Sequence, residues 1–153
     1  MADYTINLQL LEDNKNLYIN SIEKGNSKND SGFDLYVPQS ITIEPGEIKL
    51  INMGVKCAVT KNAKSSPYYL YARSSVTKRG IILVNSVGVI DSGYRGPLMA
   101  GFYNTKKEPV TINSGDRIVQ ICMPDLSYSF DVELVDSLDH TERGEGGLGS
   151  TGK

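Results

Sequence analysis

Alternation is the strongest constraint in this sequence. YTINLQLL, FDLYV, ITI, IKLI and YYLYA, and later IILV, SVGVI, PLMAGFYN, PVTI, RIVQICM and FDVELV, are short and rich in β-branched and aromatic residues. Each is bounded by Asn, Asp, Gly, Pro or Ser. Side chains of a strand point to opposite faces in turn, so such runs read as half-buried strands. Roughly a dozen of them at close spacing predict an all-β subunit built as a jelly roll, barrel or sandwich. No window carries a broad apolar stripe at helical period, and residues 75–79 offer at most one short helical turn. EPGE at 44–47 and NSGD at 113–116 are turn signals. The polar stretch 60–67 reads as a mobile loop. No repeat or linker divides the chain, so a single β domain is expected over 1–142, followed by a flexible Gly-rich arm over 143–153.

Charge and composition narrow the function. Sixteen Lys and Arg stand against 18 Asp and Glu, a net charge of −2. Binders of nucleic acid usually carry a basic surplus, so no nucleic-acid partner is expected. No stretch is apolar enough for a membrane span, and the N-terminus lacks the apolar core of a secretory signal. Two cysteines and one histidine are too few for a disulfide framework or an ordinary zinc site. Cys57 and Cys122 sit in strand-like runs and read as buried, inert thiols. A soluble, intracellular protein with no membrane partner is the expectation.

Residues suited to chemistry gather in five places. The tail, RGEGGLGSTGK, matches the opening of a phosphate-binding P-loop, but the match runs out at Lys153, where a P-loop needs Ser or Thr and a helix. Two readings remain for it: a solvated terminus, or a phosphate clamp using Arg143, the hydroxyls and the Gly amides. In SGFDL, Asp34 is either a turn residue or a carboxylate for a metal. In ARSSV, a strand runs into hydroxyls at a helix-like turn, so Arg73, Ser74 and Ser75 are either an N-cap with a surface arginine or an anion site. NSVGVIDSGYRG is the most informative stretch. It is either an ordinary hairpin or one whose backbone at Gly88, together with Asn85, faces a base edge. In that case Asp91 polarises a water and Tyr94 lies against a sugar. In GDRIVQI, Gln120 is either a satisfied core amide or a ligand contact.

In order and spacing these five stretches, SGFDL, ARSSV, NSVGVIDSGYRG, GDRIVQI and RGEGGLGSTG, resemble the motifs of the trimeric dUTPase family (deoxyuridine triphosphate nucleotidohydrolases). The resemblance spans most of the chain from Ser31 to Gly152 and implies both a fold and a reaction. The fold is a jelly-roll-like subunit in a homotrimer with active sites shared between subunits. The reaction converts dUTP to dUMP and pyrophosphate with Mg2+, a water attacking the α-phosphorus. Such an activity limits uracil incorporation into DNA and supplies dUMP for thymidylate synthesis. By resemblance, Asp91 activates the water. Asn85 and the backbone around Gly88 read uracil, and Tyr94 packs under the deoxyribose. Arg73, Ser74, Ser75 and Gln120 fall among positions that touch phosphate or water, and Asp34 falls near the magnesium shell, through water. Arg143, Leu148, Gly149, Ser150 and Thr151 belong to the arm that closes on base and phosphates.

This sequence departs from the family pattern at Leu148, where an aromatic usually stacks on the base, and at Phe33 and Ser75, where Tyr and Gly are commoner. Loss of stacking predicts weaker arm closure, since base–aromatic contacts are worth about 1–3 kcal/mol. Three rival readings stand beside this one: a dCTP deaminase of similar fold, a nucleotide sensor without turnover, and a structural β-sandwich protein. The glutamate a deaminase relies on has no counterpart that can be assigned here.

Overall fold

The computed structural model describes residues 2–25 and 29–146. In chain order its elements are β1 (Tyr4–Leu10), α1 (Lys15–Lys24), β2 (Gly32–Asp34), β3 (Ile41–Ile43), β4 (Ile48–Lys61), β5 (Lys64–Ser66), β6 (Tyr68–Ala72), α2 (Val76–Arg79), β7 (Ile81–Leu83), β8 (Gly88–Ile90), β9 (Pro97–Asn104), β10 (Val110–Ile112), β11 (Val119–Cys122) and β12 (Phe130–Leu134). The strands form three sheets. The largest has the order β12-β1-β4-β9-β7, with β5 added on β4; a second has the order β2-β11-β6-β8; β3 and β10 make a two-stranded ribbon. The β architecture expected from alternation is therefore present. Period-2 patterning places Ile6 and Leu8 of β1, Leu98 and Phe102 of β9, and Ile121 of β11 in one apolar core. Asn104, fully buried at the end of β9, is satisfied rather than stranded. Its amide donates to the carbonyls of Ile43 and Glu108, both at 2.9 Å, and its oxygen accepts from the Lys106 N–H. No helix among the described residues is long and apolar enough to cross a membrane.

Two local expectations are corrected. The first concerns helix content: besides the short turn α2, the chain forms a ten-residue helix, α1. Its signal is faint because one side chain, Tyr18, is buried, while Leu17 stays exposed. The Tyr18 ring meets Tyr36 edge-on at 5.0 Å, and its hydroxyl accepts the Tyr36 N–H at 3.0 Å. A helix anchored by a single ring needs no wide stripe. The second concerns residues 60–67, which are not a loose loop. Strand β4 runs on to Lys61, the chain reverses at Asn62 and Ala63, and β5 pairs back with Lys61 opposite Lys64. Asn62 and Ala63 both have positive φ, 50° and 62°, as a two-residue type I′ hairpin turn requires.

The second sheet carries the candidate site. Asp34 of β2 lies beside Gln120 of β11, which lies beside Tyr71 of β6. The outer strand β8 sits at the opposite edge, with Gly88 opposite Leu70. The chain enters α2 directly after Arg73, whose carbonyl accepts the Val76 N–H at 3.1 Å.

Candidate active site

Register and turn chemistry bring four of the expected residues together. Asp34, Arg73, Ser74 and Gln120 line one cavity of about 510 Å3 between β2, β11 and the end of β6. Gln120 lies across Gly32, where a side chain of any other residue would collide with it. Its amide reaches the Ala72 carbonyl at a long 3.4 Å. Arg73 Nε meets Asp34 Oδ1 at 2.9 Å, and Arg117 Nη1 approaches Asp34 Oδ2 at 3.3 Å. Burial pushes the Asp34 carboxyl up from the ordinary carboxylate range, against the opposing pull of Arg73 and Arg117. Ser75, by contrast, precedes α2 as its N-cap, makes no side-chain capping bond and does not line this cavity.

The remaining described candidates form a second cluster at the β8 edge. Two strands, β11 and β6, lie between β2 and β8, so the two sheet edges are roughly 14 Å apart at ordinary strand spacing. Asn85 is exposed in the turn before β8, next to Ser86 at φ 65°. Gly88 is buried against Leu70, and a Cβ there would stand 3.2 Å from the Leu70 Cβ, so a larger residue would push the strand pair apart by a few tenths of an ångström. Asp91 is exposed just beyond the strand, and Arg143 Nη1 pairs with its Oδ2 at 2.5 Å. Tyr94 donates its hydroxyl to the Pro97 carbonyl at 2.7 Å, and its ring covers Gly96.

The start of the arm is fastened to the same loop. Tyr94 forms a β-bridge with Gly144, and the Arg95 N–H donates to the Gly144 carbonyl at 2.6 Å. Thr141 donates its hydroxyl to the Gly93 carbonyl, and Lys56 pairs with Glu145. The nearly buried Arg95 pairs with Asp139 at 2.9 Å, and that guanidinium holds the Asp139 carboxyl below its usual range. Leu148, Gly149, Ser150 and Thr151 lie outside the described residues.

Sequence reasoning missed several residues of the cavity region, among them Asp30, Tyr71, Cys122 and Arg117. Tyr71 lines the cavity from β6, and nothing in YYLYA distinguishes its face from that of an ordinary strand position. Arg117 had a signal, since it sits inside the GDRIVQI stretch. Among the described residues no three His, Cys, Asp or Glu side chains gather as a protein-built metal cage. Magnesium carried on a triphosphate needs less, because it keeps several waters and takes one or two carboxylates beside the phosphate oxygens. Asp34 on the cavity wall is the carboxylate available for that use, and contact through water would suit it.

Comparison with known proteins gives the class. The sequence model of the dUTPase family matches residues 19–152. The deoxyuridine 5'-triphosphate nucleotidohydrolase of Coxiella burnetii (strain Dugway 5J108-111) is 42% identical over 131 residues, covering 83% of this chain and 84% of that protein. The enzyme of the same name from Haemophilus influenzae (strain PittEE) is 39% identical over the same shares. Among solved structures, the dUTPase of Streptococcus mutans superposes with a TM-score of 0.53 at 31% identity, covering 66% of this chain and 89% of that one. A dUTPase of Staphylococcus bacteriophage 80alpha, solved as its G164S mutant with dUpNHpp, reaches 0.60 over 97% of this chain and 98% of its own. At 22% identity it bears on the fold alone. The chain belongs to the dUTPase family.

Proposed function

We propose that this chain is a dUTP diphosphatase that hydrolyses dUTP to dUMP and pyrophosphate, with Asp91 as general base and Mg2+ arriving on the triphosphate. It would act inside the cell in pyrimidine deoxyribonucleotide metabolism. The observation that carries the reading is the meeting of Asp34, Arg73, Ser74 and Gln120, from sequence positions far apart, at one cavity large enough for a triphosphate. Family membership supplies the substrate.

In this mechanism a water beside Asp91 bonds through its oxygen to the α-phosphorus and gives its proton to the carboxylate. The bond from that phosphorus to the α,β-bridging oxygen breaks, and pyrophosphate leaves with the electron pair. Arg73, Ser74 and Gln120 bind phosphate oxygens and fix the line of attack. Bound magnesium supplies neutralisation of the charge on the leaving phosphates. Arg143 leaves Asp91 for the terminal phosphate, which frees the base as the substrate arrives. Asn85 and the backbone at Gly88 take the uracil edge. Tyr94, its ring held by Pro97 and Gly96, takes the deoxyribose, and Leu148 with Gly149, Ser150 and Thr151 closes over the nucleotide.

The active form in this reading is a homotrimer with shared sites. Two features support it. The cavity and the Asn85–Asp91 segment occupy opposite edges of one sheet, so a nucleotide reaching both draws them from different copies. The outer face of β4, β9 and β7 is also apolar and uncovered. Ile48, Tyr103 and Ile82 align across it, and Leu50 and Val84 flank Gly101. Ile48 is 61% exposed and Ile82 54%, which marks a face suited to a second copy of the chain. That face ends at the turn leading to Asn85.

The test is pyrophosphate release with Mg2+ from dUTP, dCTP, dTTP and UTP, with dUTP turnover repeated in 18O-labelled water. Release from dUTP alone is expected, with the label in dUMP, and Asp91→Asn should slow it by about 10²–10⁴-fold. Label in pyrophosphate, or wild-type turnover by Asp91→Asn, would contradict the mechanism; ammonia release from dCTP would select the deaminase.

A further inference from the structure

Asp34 stands in a wall between two cavities. The 510 Å3 cavity has Arg73 on its lining, and a neighbouring one of about 380 Å3, between β2 and α1, has Arg117 on its lining; Asp34 lines both. The carboxylate is gripped from the two sides, Oδ1 by Arg73 at 2.9 Å and Oδ2 by Arg117 at 3.3 Å. Arg73 is also tied to the segment that carries Arg117: its Nη1 donates to the Arg117 carbonyl at 3.4 Å and its N–H to the Ile118 carbonyl at 2.9 Å. The side chain of Asp34 is 20% exposed, and a carboxylate so enclosed is costly without a partner.

On the functional reading above, Arg73 has two claimants. A triphosphate in the cavity offers several anionic oxygens and draws the guanidinium away from Asp34. Were Arg73 the sole partner, binding would strand Asp34 with its charge uncompensated. We propose that Arg117 is a positioning residue for the nucleotide site: from the far side of the wall it holds and orients the Asp34 carboxylate while Arg73 passes to the phosphates. Arg117 touches neither nucleotide nor reacting atoms in this account. Its place outside the nucleotide cavity lets it hold the carboxylate without competing for phosphate. The proposal rests on the dUTP reading of the cavity.

The test is calorimetric binding of a non-hydrolysable imido analogue of dUTP across a Mg2+ titration, for wild type, Arg117→Gln and Arg117→Lys, with dUMP binding and the thermal midpoint alongside. Arg117→Gln should bind the analogue about tenfold more weakly and require more Mg2+, since a hydrogen bond to a charged group is lost. Its dUMP affinity should stay within about twofold, because the base and sugar contacts are remote. Arg117→Lys, which keeps the charge, should recover most of the loss. Unchanged analogue affinity and Mg2+ requirement in Arg117→Gln would overturn the proposal. So would equal losses for analogue and dUMP with a lowered midpoint, since these mark a merely structural arginine. If the wild type binds neither analogue nor dUMP, the dUTP reading itself fails and takes the proposal with it.

Discussion

Asp91 and Asp34 each carry an arginine, and the two pairs differ in what a nucleotide does to them. In the proposed mechanism Arg143 leaves an exposed carboxylate, whereas Arg73 leaves a half-buried one that Arg117 still holds. The two thiols, Cys57 in the core and Cys122 on the lining of the Arg73 cavity, are governed by burial. It pushes the Cys57 thiol up to about 12 and the Cys122 thiol up to about 11, so both stay protonated through the neutral range. The expected outcome is that neither thiol reacts with an aromatic disulfide reagent in the native protein at about pH 8, while both react in denaturant. One fast-reacting equivalent in the native state would contradict it. The burial of both cysteines was legible in the sequence because each lies in an apolar strand run. The role of Arg117 was not, because a residue's neighbours across a sheet are set by register, and the GDRIVQI string does not say that β2 lies alongside it.

At the scale of elements, the hairpin of β4 and β5 shows how a polar stretch takes a definite form. Its turn demands two residues of positive φ, and Asn62 tolerates that conformation while Ala63 does not. Ala63→Gly should therefore raise stability by about 1 kcal/mol, read from the midpoint of denaturant unfolding at constant slope. A fall in the midpoint would mean that the turn is not as described. Asn-Ala is a weak hairpin signal compared with Asn-Gly, which is why 60–67 reads as a loop from sequence. Helix α1 escapes for a related reason: what fixes it is the Tyr18 ring against Phe33 and Tyr36, a tertiary contact with no periodic signature. The strands themselves were readable because one buried face imposes alternation directly on the residue order.

At the scale of the molecule, one chain holds two clusters of candidate residues at opposite edges of a sheet and an exposed apolar face beside one of them. The sequence carries all the parts in order, but strand order is not encoded locally, so the division between the β2 edge and the β8 edge emerges only from the topology. The central claim is that dUTP is hydrolysed where the Arg73 cavity of one copy meets the Asp91 segment of another. The most direct measurement mixes two inactive chains, Arg73→Ala and Asp91→Asn, unfolds and refolds them together, and records pyrophosphate release from dUTP. Shared sites predict recovery of about a quarter of wild-type activity, since half of the cavities and half of the segments are intact and combine at random. Mixed chains that release no more than either variant alone would contradict the account, because a site contained within one copy cannot be repaired by its neighbour.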